Sequence, residues 1–223
     1  MSAEIAAIPA AARLRITETF LSLQGEADAV GWPTFFIRLT GCPLRCHYCD
    51  TAYAFHGGEW RTIARLVDEA RQSGARHVCV TGGEPLAQRQ CHTLLTVLCE
   101  GGFQVSLETS GAIDASAVDG RVVRVIDVKT PGSGESQRNL DLAIQNVRQS
   151  DQLKFVICDR ADYEWSRDRV RAERLEARCQ VLFSPSYQQV PAGQLANWIL
   201  ADRLLVRFQI QLHKVLWGDV PGR

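Results

Sequence analysis

The chain lacks both the long apolar run of a membrane protein and the charge excess of a nucleic-acid binder. None of its apolar stretches approaches the ~20 residues that cross a bilayer. Its 25 Lys and Arg residues are matched by 25 Asp and Glu residues, so no strong field attracts nucleic acid. Residues Met1 to Ala12 also lack the basic start and apolar core of a signal peptide. We therefore expect a cytoplasmic protein with no membrane partner and no direct nucleic-acid partner.

The sequence also shows no internal repeat, no domain linker and no sign of disorder. Hydrophobic residues make up 46% of the 223 residues and charged residues 22%, an ordinary globular balance. This length suits one domain with a sizeable core and is short for two typical domains. We predict a flexible N-terminus at residues 1–12 and a single domain over residues 13–223.

Eight cysteines are present, and in an intracellular chain they indicate metal ligands and buried thiols rather than disulfides. Cys42, Cys46 and Cys49 fall within eight residues, at the spacing C-x3-C-x2-C. A structural zinc site needs four protein ligands, whereas three thiolates can hold an iron–sulfur cubane and leave one iron open. A partial zinc site or a chance cluster of loop thiols is the alternative. We expect the other five to fill the core: Cys79, Cys91, Cys99, Cys158 and Cys179.

Strands alternate with helices along the sequence, which implies right-handed βαβ units and a parallel sheet. The predicted strands are 13–23, 35–39, 77–81, 103–107, 122–128, 153–158, 179–183 and 206–212. The predicted helices are 62–73, 86–100, 140–147, 159–176 and 192–201. A closed barrel of eight such units takes ~250 residues. The fold class is therefore α/β, an incomplete TIM-type barrel of about six parallel strands with reduced helices.

Polar residues follow several predicted strands, at the edge where parallel α/β folds gather their sites. The turn Thr81-Gly82-Gly83-Glu84 offers bare backbone and a carboxylate to an ammonium group, although Gly-Gly strand exits are common. Asp127 and Lys129 share one face of a strand end, where they fit either ligand contacts or an internal ion pair. Glu108 ends another strand. The segment 184–187 fits either a ligand contact or a polar loop.

Two features near the N-terminus are also candidates for a site. Gln24-Gly25-Glu26 forms a polar turn whose glycine lets the backbone approach a ligand closely, although an exposed turn explains it equally well. Arg38 lies in an apolar strand that should be buried, and a buried arginine usually has an anionic partner.

Taken together, these segments resemble the 7-carboxy-7-deazaguanine synthase family of the radical S-adenosylmethionine superfamily. The likeness spans nearly the whole chain and is carried, in order, by residues 22–26, 35–42, 49–51, 81–85, 107–111 and 211–214. It implies a carbon–nitrogen lyase that converts 6-carboxy-5,6,7,8-tetrahydropterin to 7-carboxy-7-deazaguanine and ammonia by radical ring contraction, in queuosine and 7-deazapurine biosynthesis. A hydrogen atom would leave the pterin C6 at the start of that reaction and be returned after the ring rearranges.

The resemblance also implies cofactors, partners and residue roles. Cys42, Cys46 and Cys49 would hold a [4Fe–4S] cluster, Thr51 would ligate Mg²⁺, flavodoxin or ferredoxin would donate electrons, and the protein would be a homodimer. The S-adenosylmethionine contacts would include the strand-end residues described above. The full set would be Tyr48, Cys49, Asp50, Gly83, Glu108, Asp127, Val128, Lys129, Ser184, Pro185, Ser186 and Tyr187. The pterin contacts would be Leu23, Gln24, Gly25, Glu26, Arg38, Thr81 and His213. Relatives often have Ser-Pro-Lys at positions 127–129, where this chain has Asp-Val-Lys, so Lys129 transfers most directly.

Two other functions fit part of the pattern. A glycyl-radical-enzyme activase shares the cysteine spacing and acts on a protein partner, but such activases usually carry an Asp-Gly-Pro-Gly turn before the cysteines, which this sequence does not have. The turn at residues 24–26 and Arg38 instead favour a small anionic substrate. A non-enzymatic iron–sulfur or zinc scaffold leaves the Thr81–Pro85 turn unexplained.

Overall fold

The computed structural model describes residues 12–222, which form one mixed sheet of nine strands flanked by helices. The strands are β1 (Arg13–Leu23), β2 (Pro33–Leu39), β3 (Glu59–Thr62), β4 (His77–Gly82), β5 (Gln104–Thr109), β6 (Val123–Val128), β7 (Gln152–Ile157), β8 (Gln180–Pro185) and β9 (Arg207–Phe208). Their order is β3-β1-β2-β4-β5-β6-β7-β8-β9. β1 is antiparallel to both of its neighbours, and every pairing from β2 to β9 is parallel.

The sheet is open, because β3 and β9 are its two edges and do not pair with each other. An incomplete parallel barrel is therefore confirmed, with one strand more in the parallel part than the six predicted. Most of the predicted N-terminal segment lies outside the described residues. Ala12, its last residue, is buried and accepts a hydrogen bond from the backbone of Ile63 at 3.1 Å.

The helices are α1 (Ile63–Gln72), α2 (Cys91–Glu100), α3 (Asp141–Gln145), α4 (Arg160–Glu173), α5 (Ala192–Ala201) and α6 (Leu212–Trp217). Thr62 caps the N-terminus of α1, since its hydroxyl accepts from the Arg65 amide at 3.3 Å. The helix predicted from residue 86 begins only at Cys91, because Pro85–Ala87 form a separate 3₁₀ turn. No helix within residues 12–222 is both long and apolar enough to span a membrane.

Two parts of the sequence fold differently from the pattern. β3 was not predicted, because Glu59 and Trp60 are exposed at the sheet edge and show no apolar alternation. The predicted strand 206–212 pairs with β8 only at Arg207 and Phe208. The chain then turns away, and the amide of Leu212 donates to the carbonyl of Gly25 at 2.9 Å. Residues 212–217 form α6 instead.

Two apolar clusters hold the helices against the sheet. The first joins β1, β2, β4 and β5 to α1 and α2 and includes Leu66 and Leu94; the second joins β6, β7 and β8 to α4 and α5 and includes Phe155 and Leu195. Each of these side chains is fully buried and contributes about 1.5–3 kcal/mol of transfer free energy. Because successive strand residues point to opposite faces, the alternate residues of the same strands face the other side of the sheet, where the site lies.

Candidate active site

One cavity of about 540 Å³ opens on this side of the sheet, at the carboxyl ends of the parallel strands. Its volume lies within the range of pockets that hold small organic ligands. Most of the predicted site residues line it: Leu23, Gln24, Gly25, Glu26, Arg38, Cys42, Cys46, Tyr48, Cys49, Asp50, Thr51, Thr81, Gly83, Glu108, Asp127, Lys129, Ser186, Tyr187 and His213. Residues that lie up to 190 positions apart in the sequence therefore meet in one place.

Three predicted contacts do not line the cavity. Val128 lies between Asp127 and Lys129, so the pleat of β6 turns its side chain to the opposite face, where it is fully buried in the second apolar cluster. Ser184 and Pro185 end β8 outside the cavity lining, and only the following Ser186 and Tyr187 reach it. The predicted S-adenosylmethionine contacts at these three positions are thus not supported by side-chain position.

The loop that carries Cys42, Cys46 and Cys49, called the cysteine loop below, follows β2 and is held in place by backbone hydrogen bonds. The Gly41 amide donates to the Ala54 carbonyl at 2.8 Å, and the His47 amide donates to the Ser133 carbonyl at 3.0 Å. Cys42, Cys46 and Cys49 are half-buried free thiols that line the cavity. The loop therefore presents all three sulfur atoms from a fixed backbone.

Burial raises the pKa of the Cys46 thiol to about 11 and also raises those of Cys42 and Cys49. Bound iron reverses this tendency, because a coordinated thiol is deprotonated. Within residues 12–222, no three His, Cys, Asp or Glu side chains lie close enough together to hold a single metal ion. Three thiols spread along one loop do not fit a zinc ion, whereas a cubane binds each cysteine through a different iron, so the residues fit that group.

The other cysteines largely follow the core prediction. Cys91 and Cys179 are buried, and Cys99 and Cys158 are half-buried. Cys79 is also buried, but its side of β4 lines the cavity. Burial raises its pKa to about 12, so it is a neutral wall residue.

The glycine turn after β4 packs directly on the cysteine loop. The Glu84 amide donates to the Gly41 carbonyl at 2.8 Å, and a Cβ added to Gly83 would lie 2.8 Å from the Cβ of Cys42. Only glycine permits this approach. Gly83 therefore has a packing reason in addition to the predicted cosubstrate contact.

The carboxylate of Glu84 does not face the cavity, contrary to the prediction that it meets an ammonium group. It is fully buried and accepts hydrogen bonds from the Leu86 amide at 3.0 Å, the Thr109 hydroxyl at 2.9 Å and the Ser110 amide at 2.7 Å. The hydroxyl of Ser110 also donates to Glu84. Glu84 thus joins the end of β4 to the end of β5.

A buried lysine that the sequence analysis did not select lies at the base of the cavity. Lys154 Nζ is 2.6 Å from Glu26, 3.2 Å from Glu108 and 3.7 Å from Asp127. Burial favours the neutral amine, but the three carboxylates outweigh it and raise the pKa of Lys154 well above its usual value. Burial alone would raise the pKa of Glu26, but the neighbouring Lys154 ammonium outweighs it, so the pKa of Glu26 is lowered. Lys154 lies in an apolar strand, so the signal used for Arg38, a charge in a buried strand, applied to it equally.

Gln24 and Glu26 are buried, so the alternative of an exposed turn is wrong. Arg38 also has the anionic partner that its strand implied: its Nε lies 2.7 Å from Glu18. This bond uses Nε, and no hydrogen bond to a described residue occupies the two Nη atoms of Arg38, whose side chain lines the cavity. Phe20 and Tyr53 flank the guanidinium at 5.7 and 5.9 Å.

Asp127 and Lys129 form the internal ion pair that was one of the two predicted alternatives, at 3.1 Å. Both also line the cavity, so the pair is part of the site wall. Lys129 Nζ lies 5.8 Å from the ring centre of Tyr48, whose hydroxyl is buried without a hydrogen-bond partner among the described residues. Burial raises the pKa of Tyr48 far above its usual value.

α6 completes the cavity from the C-terminal side. The imidazole of His213 occupies the space beside Gly25, where an added Cβ would lie 3.0 Å from two of its ring carbons. Burial lowers the pKa of His213, which favours the neutral imidazole. Val220, Pro221 and Gly222 also line the cavity. Neither this helix nor its enclosure of the cavity was predicted.

Comparison with known proteins gives a consistent family. Residues 36–127 match the model of the Radical SAM superfamily. The chain is 40% identical to 7-carboxy-7-deazaguanine synthase of Chlorobaculum tepidum, over 95% of this chain and 98% of that protein. It is 38% identical to the protein of the same name from Koribacter versatilis, over 92% and 97%. The structure of QueE from Escherichia coli aligns with a TM-score of 0.76 at 23% identity, covering 96% of this chain and all of that one, which shows the same fold.

Proposed function

Because this chain belongs to the 7-carboxy-7-deazaguanine synthase family, we propose that its cavity binds the pterin substrate and S-adenosylmethionine side by side, with the residue roles given below. The chain is a radical S-adenosylmethionine lyase of the queuosine pathway, and its cofactors are a [4Fe–4S] cluster and S-adenosylmethionine, with Mg²⁺ consistent with them. The activase alternative is not favoured, since the similar proteins carry the synthase name.

One observation carries the proposal: a single cavity joins three half-buried cysteines to Arg38 and to the paired carboxylates Glu26 and Glu108. When bound, the cluster and S-adenosylmethionine supply the radical that removes the substrate hydrogen atom. The protein residues then have to bind, orient and shield the two ligands.

Arg38 is the proposed partner of the pterin carboxylate. Its bond to Glu18 fixes the Nε edge of the guanidinium, so the remaining Nη edge is pre-oriented toward the cavity and can bind a carboxylate through two parallel hydrogen bonds. Thr81 stands beside it, because the two residues are partners in the β2–β4 pairing. Because the guanidinium is already fixed, little side-chain conformational entropy is lost when the ligand binds.

Glu26 is the proposed acceptor for the N–H groups of the pterin ring, with Gln24 and His213 at its edge, while Glu108 is proposed as a contact of S-adenosylmethionine. Lys154 keeps both carboxylates within reach of one another, and each carboxylate has further lone pairs for a ligand. Leu23 and Gly25 would contact the ring through apolar surface and bare backbone.

The cosubstrate is proposed to lie along the cysteine loop. Gly83 offers backbone to the methionine moiety, Lys129 a cation to its carboxylate, and Tyr48 and Asp50 contacts along the nucleoside. Thr51 is the proposed Mg²⁺ ligand, whose shell water and substrate oxygens would complete. Asp127, Ser186 and Tyr187 would close the site on the sheet side.

The partners are also proposed. An electron donor such as flavodoxin or ferredoxin would reduce the cluster, and the protein would be a homodimer in the cytoplasm without direct contact to nucleic acid. These statements rest on the family resemblance and on the balanced charge of the chain.

The test is an anaerobic assay with reconstituted cluster, dithionite, S-adenosylmethionine, Mg²⁺ and 6-carboxytetrahydropterin, with 7-carboxy-7-deazaguanine detected by mass spectrometry. We expect product from the native protein and none from Cys46→Ala. Cys99→Ala is the matched control, because Cys99 is a half-buried thiol outside the cavity, and it should retain product. Deoxyadenosine without the deazapurine would show that the substrate assignment is wrong.

A further inference from the structure

We propose that Lys214 is a positioning residue that ties α6 to the cysteine loop through Asp50, and so sets the distance between the pterin side and the cofactor side of the cavity. The inference deepens the proposed function and rests on it for the names of the two sides. Lys214 itself need not touch either ligand.

The contacts of Lys214 place it between α6 and the loop. Its Nζ lies 2.7 Å from Asp50 and 3.4 Å from Asp219, and 4.9 Å from the ring centre of Tyr187. Its side chain is only 6% exposed. Asp50 directly follows Cys49 in the sequence and accepts from the Thr51 hydroxyl at 2.8 Å. A charge-assisted bond at this point therefore acts on the loop beside its last cysteine.

The preceding residues of α6 contact the opposite wall. The Leu212 amide donates to the Gly25 carbonyl at 2.9 Å, and the His213 ring covers Gly25. Consecutive residues of one short helix thus contact the polar turn of residues 24–26 on one side and the cysteine loop on the other. Any shift of the helix would move His213 relative to Asp50.

The ion pair, rather than apolar burial, holds α6 in place. Lys214 is the one buried residue of this six-residue helix, and the exposed fractions of Val215 and Leu216 are 65% and 48%. A helix this short is not stable by itself. Its position therefore depends on the bond from Leu212, the packing of His213 on Gly25 and the ion pair of Lys214, and removing the ammonium removes one of these three contacts.

The presence of lysine rather than arginine at position 214 also supports a positioning role for this residue. Only three of the 25 basic residues are lysines, and all three line the cavity: Lys129, Lys154 and Lys214. A compact ammonium group with three donors can satisfy Asp50 and Asp219 while it lies on the ring of Tyr187.

The test compares Lys214→Met, which keeps the length and removes the charge, with Lys214→Arg, which keeps the charge. Arg207→Met is the matched control, because Arg207 also makes a 2.7 Å ion pair, with Asp28, but lies outside the cavity. Amide hydrogen exchange is measured by mass spectrometry on the cluster-loaded proteins. For Lys214→Met we expect roughly ten- to a hundredfold faster exchange in both 209–222 and 46–55, with the strands of the sheet unchanged.

Steady-state kinetics give the second readout. We expect KM for the pterin to rise roughly tenfold in Lys214→Met, to return toward the native value in Lys214→Arg, and to stay unchanged in Arg207→Met. Faster exchange in 209–222 alone, or exchange and KM that both match the native protein, would overturn the inference. If the native protein forms no deazapurine, the proposed function fails, while the exchange coupling between α6 and the loop still tests the structural link.

Discussion

Replacing Lys154 by methionine should be among the most damaging single changes in the sheet. Methionine keeps much of the volume of lysine but removes the one cation that Glu26, Glu108 and Asp127 share. Lys154 is 8% exposed at its side chain, and the three carboxylates are 11%, 17% and 16% exposed. Little water therefore reaches these carboxylates to compensate for the lost ammonium.

The expected cost follows from the geometry of this group. Removing one partner of a buried ion pair typically costs about 3–5 kcal/mol, because an uncompensated charge stays buried. For a chain of this length that corresponds to a fall in Tm of roughly 6 to 20 °C. Asp127 keeps Lys129 at 3.1 Å, so most of the cost should arise at Glu26 and Glu108.

The loss of stability in Lys154→Met should depend on pH. In the native protein the pKa of Lys154 is raised, so its stabilisation is fully present below the pKa of an unfolded lysine and is lost only at strongly alkaline pH. In Lys154→Met, burial without a cation raises the pKa of Glu26 and Glu108 above their unfolded values of about 4.3. The variant is then most stable in acid and loses stability as the pH rises through the raised values. The difference from the native protein should therefore be small near pH 4 and large at pH 7.

The assay is thermal or urea unfolding of both proteins, each with its cluster and without oxygen, from pH 4 to pH 8. Arg71→Met is the control, because its ion pair with Asp68 at 3.3 Å is exposed on both sides and should contribute less than about 1 kcal/mol at any pH. A Lys154→Met protein as stable as the native one at pH 7, or a loss that does not change with pH, would refute the reasoning.

Three further predictions concern other parts of the structure. Gly25→Ala should fold but lose most product formation in the anaerobic assay, because its methyl group enters the space of the His213 ring. Asp151→Asn should lower the free energy of unfolding by about 3–5 kcal/mol in urea titrations, since the fully buried carboxylate binds Arg124 Nε at 3.0 Å, with KM for the pterin unchanged. Glu84→Gln should reduce S-adenosylmethionine binding in calorimetry, because an amide cannot accept all the hydrogen bonds that fix the glycine turn.

Much of the fold could be predicted because its core strands are short apolar runs with helices between them. β4, β5, β6 and β7 each lie within two residues of their predicted bounds. β3 and α6 could not be predicted in this way, since neither buries an apolar stripe. β3 is fixed by pairing with β1, and α6 by its bonds to Gly25 and Asp50. Both depend on partners far away in the sequence.

The site residues also divide into those that a local motif predicts and those that only the fold brings together. Short motifs located the cysteines, the glycine turn and Arg38, because each motif is local. Pairings between distant residues had no local signal: Glu26 and Lys154 are 128 positions apart. Glu84 shows the opposite error, since its motif suggested a ligand contact while its carboxylate binds the next strand end. A motif indicates that a residue lies near the site, but the packing of its neighbours in the fold determines whether its side chain faces the cavity.

Every cation around the cavity is paired with a carboxylate before any ligand is bound. Each cation of the wall already has a carboxylate: Arg38 with Glu18, Lys154 with Glu26 and Glu108, Lys129 with Asp127, and Lys214 with Asp50. A ligand carboxylate must therefore use donor atoms that remain after pairing, as on the Nη edge of Arg38, and ligand N–H groups must use the remaining lone pairs of the glutamates. Pairing weakens the net field but fixes the direction of each donor and acceptor, so little reorganisation is left to the moment of reaction. Such a wall selects ligands that carry both acids and N–H donors at matching positions, and a carboxypterin and S-adenosylmethionine both have that character.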